Sequence, residues 1–371
     1  MTHDLTPELS IIVPVLNETA LLPLLFATLA SQRGLRFELL LCDGGSGDGA
    51  PQRAAQLARQ MPFTTEFVQA PCGRGSQMNA GAAIARADTL LFLHVDSAFA
   101  ADDALSRALA ALRVRQAATG CDEVAGRFAL CFHRSNGKPS PAYFFYEAKA
   151  RLARTECIRG DQGFMLSRPF FRSLNGFDEQ MPFLEDLRFV DAVAARGEWL
   201  LFPAEVGTSA RRFETEGLWE RQVLNAIIVN CLVAGWTEFF ATLSGLYRFD
   251  TETGRLSLYP ILNGIRTLLA RRPRRWRRAF WHTTGRHVAA NAWQIFFWLD
   301  TRSTFSRGMG PGEVEPRWLR LYERRLNRFF CVFPAAMTAA AAVWLWFRFM
   351  LLGRPQVGRP QGAPTGTRRP G

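Results

Sequence analysis

Residues 73–97 read GRGSQMNAGAAIARADTLLFLHVDS, and this stretch decides the fold. Gly73 and Gly75 bracket Arg74 and open an alanine-rich helical segment over about Gln77–Ala87. The apolar run Thr89–Val95 follows at once and reads as a strand buried on both faces. It ends on His94 and Asp96. Residues i and i+2 of a strand face the same side, so these two side chains are expected to turn together toward one ion. A helix N-terminus beside an arginine suits a phosphate. A helix feeding a doubly buried strand with a polar end is one repeat of a parallel α/β sheet, and the polar end lies at the rim of a site.

The same pattern holds on either side. Leu9–Val15 is a β-branched apolar run, followed by a helical stretch from about Glu18 to Gln32. Phe37–Cys42 runs into Asp43-Gly44-Gly45-Ser46, then a helix over about Pro51–Gln60 and a weaker strand, Phe63–Gln69. This alternation predicts an α/β fold with a mostly parallel central sheet and helices on both faces. Right-handed crossovers put every strand's carboxyl end on one edge. Asn17 with Glu18, Asp43 with Asp48, and His94 with Asp96 all lie at such ends. Past residue 100 the pattern loosens. A helix is expected over Asp102–Arg115, short strands over Val124–Phe132, Phe164–Ser167 and Trp199–Pro203, and a helix over Leu184–Ala195 that opens on Glu185-Asp186.

The chain has 371 residues and a formal net charge of +12, unevenly placed. Residues 251–371 hold 21 arginines against five acidic residues, while the front part is mildly acidic. Such asymmetry points to a polyanionic partner. The run Phe329–Phe347 is 19 residues without a charge, flanked by Arg325, Arg328, Arg348 and Arg354. A spanning helix needs ~20 apolar residues, so 329–352 reads as a transmembrane or membrane-embedded helix. Beside it, RRPRRWRR (271–278) is expected to meet anionic membrane lipids. Nucleic acid is disfavoured, since no nucleic-acid motif accompanies the arginines. Gly353–Gly371 holds five glycines and four prolines, a disordered tail by composition. The resulting division is 1–250 for the α/β domain, 251–328 for an Arg-rich helical extension, 329–352 for the membrane helix and 353–371 for the tail. Met1–Glu8 is polar and Ile11–Leu16 is short, so no signal peptide is expected. The seven scattered cysteines form no Cys-x-x-Cys pair and read as reduced thiols, without a disulfide framework or a zinc site.

Several groups can carry chemistry, each beside a plainer reading. Asp43 ends a strand before glycines and can bond a base or ribose, or merely shape a turn. Asp96 suits a divalent cation bridging a diphosphate; His94 fits manganese better than magnesium. Glu185-Asp186 either caps a helix or supplies a carboxylate base for an acceptor hydroxyl. The Ser209-Ala210-Arg211-Arg212 run offers positive charge to a diphosphate leaving group, or is a solvated arginine pair.

Taken in order, P-x-x-N-E, D-G-G-S-x-D-G, G-R-G-x-Q-M-N-x-G, H-x-D, G-D-Q-G and E-D resemble the family 2 glycosyltransferases of the GT-A fold. The subgroup most alike is that labelled selenodomain-associated transferase 2. The resemblance covers about residues 8–250, with six motifs in register. It implies that Pro14, Asn17 and Glu18 edge the nucleotide pocket, that Asp43 holds the base with Ser46 and Asp48 nearby, and that Arg74, Gln77 and Asn79 lie beside the nucleotide sugar. It implies Asp96, with His94, as the metal end, Asp186 as catalytic base with Glu185 beside it, and Gly160, Asp161 and Gln162 on the acceptor side with Arg211. One departure stands out: His94 occupies a position where the wider family often has aspartate.

The activity so implied is inverting transfer of a sugar from a nucleotide-diphosphate sugar to an acceptor hydroxyl, with Mn2+ or Mg2+, at the cytoplasmic face of the inner membrane. The sequence names neither base, sugar nor acceptor; the anchor suggests a lipid-linked acceptor. Two alternatives compete. A sugar-phosphate nucleotidyltransferase would carry an early Gly-rich, basic segment, which VPVLNETALL (13–22) lacks. A non-catalytic membrane-bound scaffold is opposed by the intact Asp96, Glu185 and Asp186. Asp43, Asp96 and Asp186 are expected around one hollow.

Overall fold

The computed structural model describes residues 6–181, 184–247, 254–330 and 332–352; the tail expected from residue 353 lies outside them. Contacts group residues 6–218 with 292–327 in one compact unit, and 219–247 with 255–291 and 328–352 in another. Composition places breaks at 250 and 328 instead.

The first unit is built on β1 (Leu9–Val15), α1 (Leu22–Ala30), β2 (Phe37–Asp43), α2 (Ala50–Ala58), β3 (Thr64–Gln69), α3 (Arg74–Ile84), β4 (Thr89–Phe92) and α4 (Ala104–Thr119). It continues through β5 (Val124–His133), α5 (Pro141–Lys149), β6 (Phe164–Ser167), α6 (Arg168–Ser173), α7 (Glu185–Arg196), β7 (Glu198–Ser209) and α8 (Arg211–Glu216). The seven strands form one sheet in the order β3-β2-β1-β4-β6-β5-β7. β1 pairs in parallel with β2 and β4, β2 with β3, and β5 with β7. β6 is antiparallel to both neighbours, so β5 and β7 run the same way as β1. The carboxyl ends of six strands therefore share one edge, and the chain enters β6 from that edge.

All seven residues of β1 are buried. Leu9, Ile11, Val13 and Val15 feed one core with Leu22, Leu25 and Phe26 of α1 and Leu105 and Leu109 of α4. Ile12 feeds a second with Met78 of α3 and Phe189 and Val193 of α7. The period-2 side-chain alternation thus supplies two apolar faces, each covered by helices. A Cβ at Gly81 would lie 2.6 Å from Cys42 Sγ and from Ile12 Cγ2, so α3 lies close on β1 and β2 because that position is glycine.

α13 (Trp293–Ser306) and α14 (Arg317–Leu321) also belong to this unit; they follow four helices of the other, α9 (Leu218–Val233), α10 (Glu238–Leu246), α11 (Leu258–Ala270) and α12 (Arg274–Ala290). The buried Asp300 carboxylate accepts the N–H groups of Trp318 and Leu319, both at 2.9 Å, and so caps α14 from a distance.

In the second unit Trp236 is buried against Trp276 (5.2 Å) and Phe280 (5.1 Å). After the short α15 (Asn327–Phe330), α16 (Phe333–Leu352) packs on α12, where a Cβ at Gly285 would run into Ala336 O. Among the described residues α16 is the one helix long and apolar enough to cross a membrane. Phe333, Leu345, Phe349 and Leu352 are exposed on it, and Arg271, Arg274, Arg275 and Arg278 are exposed at the start of α12.

Candidate active site

The turns after β1 and β2 interlock. Asn17 sits at φ 54, in the left-handed region that asparagine tolerates. Its N–H donates to Ser46 Oγ (2.9 Å) and its Oδ1 accepts from the Gly47 N–H (2.9 Å). The Thr19 N–H donates to Asp48 Oδ2 at 2.8 Å. Asp43 is buried and accepts the N–H groups of Gly45 (3.0 Å) and Ser46 (3.1 Å). Pro14 is buried within β1, one residue before its end. Two of the polar residues on α3 turn inward. Gln77 Nε2 donates to Val15 O (2.8 Å) and Cys42 O (2.7 Å), closing the ends of β1 and β2. Asn79 Nδ2 donates to Phe177 O (2.9 Å) and Glu179 Oε1 (2.8 Å), and its Oδ1 accepts from the Phe177 N–H (2.9 Å).

His94 and Asp96 do not lie on a strand. β4 ends at Phe92, the Leu93 N–H still reaches Ile12 O (3.0 Å), and the chain then turns, with the Ser97 N–H on His94 O at 3.1 Å. The turn, not strand periodicity, brings the two side chains together. Asp96 Oδ2 accepts from Thr208 Oγ1 and from the Ser209 N–H, each at 3.2 Å. A bridge between Ala98 and Gly207 fixes the turn against β7.

Asp186 arrives from the other side. Its Oδ2 accepts the Gly160 N–H at 2.9 Å. A Cβ at Gly160 would lie 3.3 Å from His94 Nε2 and 3.5 Å from Asp186 Cβ, so Gly160 lies between the two. Leu184, just before α7, holds φ 64, a strained value for a leucine. Glu185 is buried, and its Oε1 lies 2.9 Å from Arg74 Nε, while the Arg74 side chain is 49% exposed. Gln162 is buried as well: Nε2 donates to Ala150 O (2.8 Å) and Phe128 O (3.2 Å), holding the chain beneath the site.

The charges are coupled. Burial, then the Asp96 charge, pushes the Glu18 carboxyl up from its ordinary 4.5 to about 7, against the pull of Arg212 and Arg74. Burial, then Asp186, pushes Asp161 up from 3.8 to about 7. Burial and Arg74 lower the His94 pKa against the pull of Asp96 and Asp186, which favours the neutral ring. Glu18, Asp96, Asp161 and Asp186 thus crowd one region. Asp43 spends its carboxylate on the Gly45 and Ser46 N–H groups of its own turn. Of the arginine pair, Arg212 acts on Glu18 and His94; Arg211 is exposed at the start of α8. Thr208 escaped sequence reading. Its signal was only that β7 ends on the same edge as β4.

An acid whose pKa is raised by folding binds its proton more tightly folded, so stability falls as pH rises through the window. For Glu18 that window runs from about 4.5 to about 7. Glu18→Gln escapes this loss. Its Tm relative to wild type is expected to climb with pH between those values, and a pH-independent difference in thermal melts contradicts the reading.

Residues 10–174 match the family model described as Glycosyl transferase family 2. These residues are a family 2 glycosyl transferase domain. The match spans Asp43, Arg74, Asp96 and Gly160 and ends before Asp186 and Arg212, whose places rest on the geometry above. No curated protein matches the chain. Among solved structures, the mannosyltransferase PcManGT from Pyrobaculum calidifontis, in complex with GDP-Man and Mn2+, is 17% identical and covers 92% of this chain and 87% of its own, with a TM-score of 0.46. Residues 1–349 of S. aureus TarS in complex with UDP are 14% identical over 91% of this chain and 92% of that one, with a TM-score of 0.47. At these TM-scores the likenesses are weak, and the assignment rests on the family match.

Among the described residues no three His, Cys, Asp or Glu side chains of the glycosyl transferase domain are arranged to hold a metal alone. The donor set nevertheless fits a hard divalent cation. Asp96 uses one carboxylate oxygen within the protein and keeps the other. Magnesium-like sites often rely on one or two carboxylates, the remaining ligands being water and phosphate oxygens.

Proposed function

We propose that the glycosyl transferase domain is a metal-dependent, inverting enzyme that moves a sugar from a nucleotide-diphosphate sugar to an acceptor hydroxyl. The observation that carries this is the meeting of Asp186 with the Asp96 turn around Gly160. A candidate base and a candidate cation ligand there share one edge of the sheet. On this reading the turns of Asn17, Ser46 and Asp43 receive the nucleoside. A divalent cation at Asp96, Mn2+ or Mg2+, supplies positive charge to the diphosphate. Arg74 and Arg212 add fixed positive charge as the diphosphate departs. Asp186 takes the proton from the acceptor hydroxyl through the oxygen not bonded to Gly160, as that hydroxyl attacks the anomeric carbon from the face opposite the leaving group. The C–O bond to the sugar forms as the bond to the diphosphate breaks, and the configuration inverts. Asp161, beside Asp186, faces the acceptor.

A thermal-shift panel of nucleoside diphosphates with Mn2+ tests the donor site. One base is expected to raise Tm by mass action. A panel in which none does contradicts the reading.

The same proposal places the enzyme at the cytoplasmic face of the inner membrane, where nucleotide sugars are made. The apolar surface of α16 and the exposed arginines of α12 support it, at ~1 kcal/mol per basic residue near an anionic surface. Full-length protein is expected to float with phosphatidylserine-containing vesicles. Protein left at the bottom of the gradient with every vesicle contradicts the membrane assignment.

A further inference from the structure

The E-D pair at the start of α7 divides its work. Asp186 turns to Gly160, while Glu185 is 3% exposed and meets Arg74. A buried carboxylate is costly unless paired, so Glu185 holds its partner firmly. Arg74 sits at the first residue of α3. Its Nε lies 2.9 Å from Glu185 Oε1 in an ion pair, and about half of its side chain remains open to solvent. An ion pair at the Nε end limits where the guanidinium can sit and leaves its other N–H groups for a ligand. The two helix starts are tied together at further points: Asn79 bonds Phe177 and Glu179, Arg188 Nη1 meets Asp178 Oδ2 at 2.6 Å, and a Cβ at Gly75 would lie 3.2 Å from Asp178 O.

We propose that Glu185 is a positioning residue that fixes the Arg74 guanidinium toward the donor's phosphates and takes no part in proton transfer. This rests on the donor reading above. Arg74 rides on α3 and the base on α7, so the Glu185 pair also sets the distance between the phosphate-binding group and the base.

The test is calorimetry on full-length protein with Mn2+, using the nucleoside diphosphate selected by the thermal panel and the matching nucleoside. The quantity read is the ratio of the two affinities. Glu185→Gln is expected to cut that ratio ~10- to 100-fold, and Arg74→Gln by a similar factor, since one charge-assisted contact is lost in each case. The double variant is expected to fall no further than either single one, because both changes remove the same contact. In turnover, Glu185→Gln is expected to raise the donor KM more than it lowers kcat, and Glu185→Asp to recover part of the ratio. An unchanged ratio in Glu185→Gln, or losses that add in the double variant, overturns the proposal and leaves the donor site intact. A kcat collapse at constant KM makes Glu185 a direct participant instead. A wild-type protein that binds nucleoside and diphosphate alike overturns the donor reading, and this inference with it.

Discussion

Asp186→Asn is expected to lower kcat by ~10³-fold, the scale of a lost general base, while nucleotide binding persists. The amide keeps an oxygen to accept the Gly160 N–H, so the local hydrogen bond at 2.9 Å survives the change. What disappears is the capacity to take a proton from the acceptor. The neighbours sharpen the expectation. Asp161 is pushed up to about 7 partly by the Asp186 charge, so in the variant its carboxyl pKa falls and any residual turnover is expected to run through it. Glu185 is buried against Arg74. Steady-state kinetics with a saturating donor check this. Wild-type turnover in the variant removes Asp186 from the mechanism.

Asp96→Asn is expected to weaken Mn2+-dependent nucleotide binding ~100-fold or more, since a metal contributes several kcal/mol of charge stabilisation and ~1.4 kcal/mol is tenfold. Asparagine retains an oxygen for Thr208 and Ser209, so the tie between the β4 turn and the end of β7 holds. The loss is then one of charge rather than of fold. Calorimetry with and without Mn2+ reads it directly. Binding that keeps its full metal dependence in the variant places the cation elsewhere.

Much of the fold was legible because its signals are local. β1, β2 and β4 are apolar runs of about the right length, and the helices between them lie close to where the alanines and leucines put them. The shared edge followed from parallel topology alone. The site was legible as a place but less so as a set of contacts. Gln77 and Asn79 read as ligands because polar residues in a Gly-rich motif look that way. The fold uses them to satisfy strand-end carbonyls and a loop, a need that only the tertiary arrangement creates. His94 and Asp96 were paired for the wrong reason, since the strand stops before them. Arg211 and Arg212 differ by one helical step, and sequence alone does not give the phase that points Arg212 at Glu18. The arginine-rich stretch after 250 looks uniform in composition, yet α13 groups with the sheet unit through ring contacts to α5, Phe305 on Phe144 and Phe297 on Phe145, and the Asp300 cap ties α14 to α13.

The central claim is that Asp96 and Asp186 serve one reaction, single displacement at an anomeric carbon. Proton NMR of the selected nucleotide sugar, incubated with full-length protein, acceptor and a divalent cation, follows that carbon directly. The expected result is consumption of the donor only with the cation present, and a product of opposite anomeric configuration. A donor left intact under every condition, or a product that keeps the donor's configuration, contradicts it.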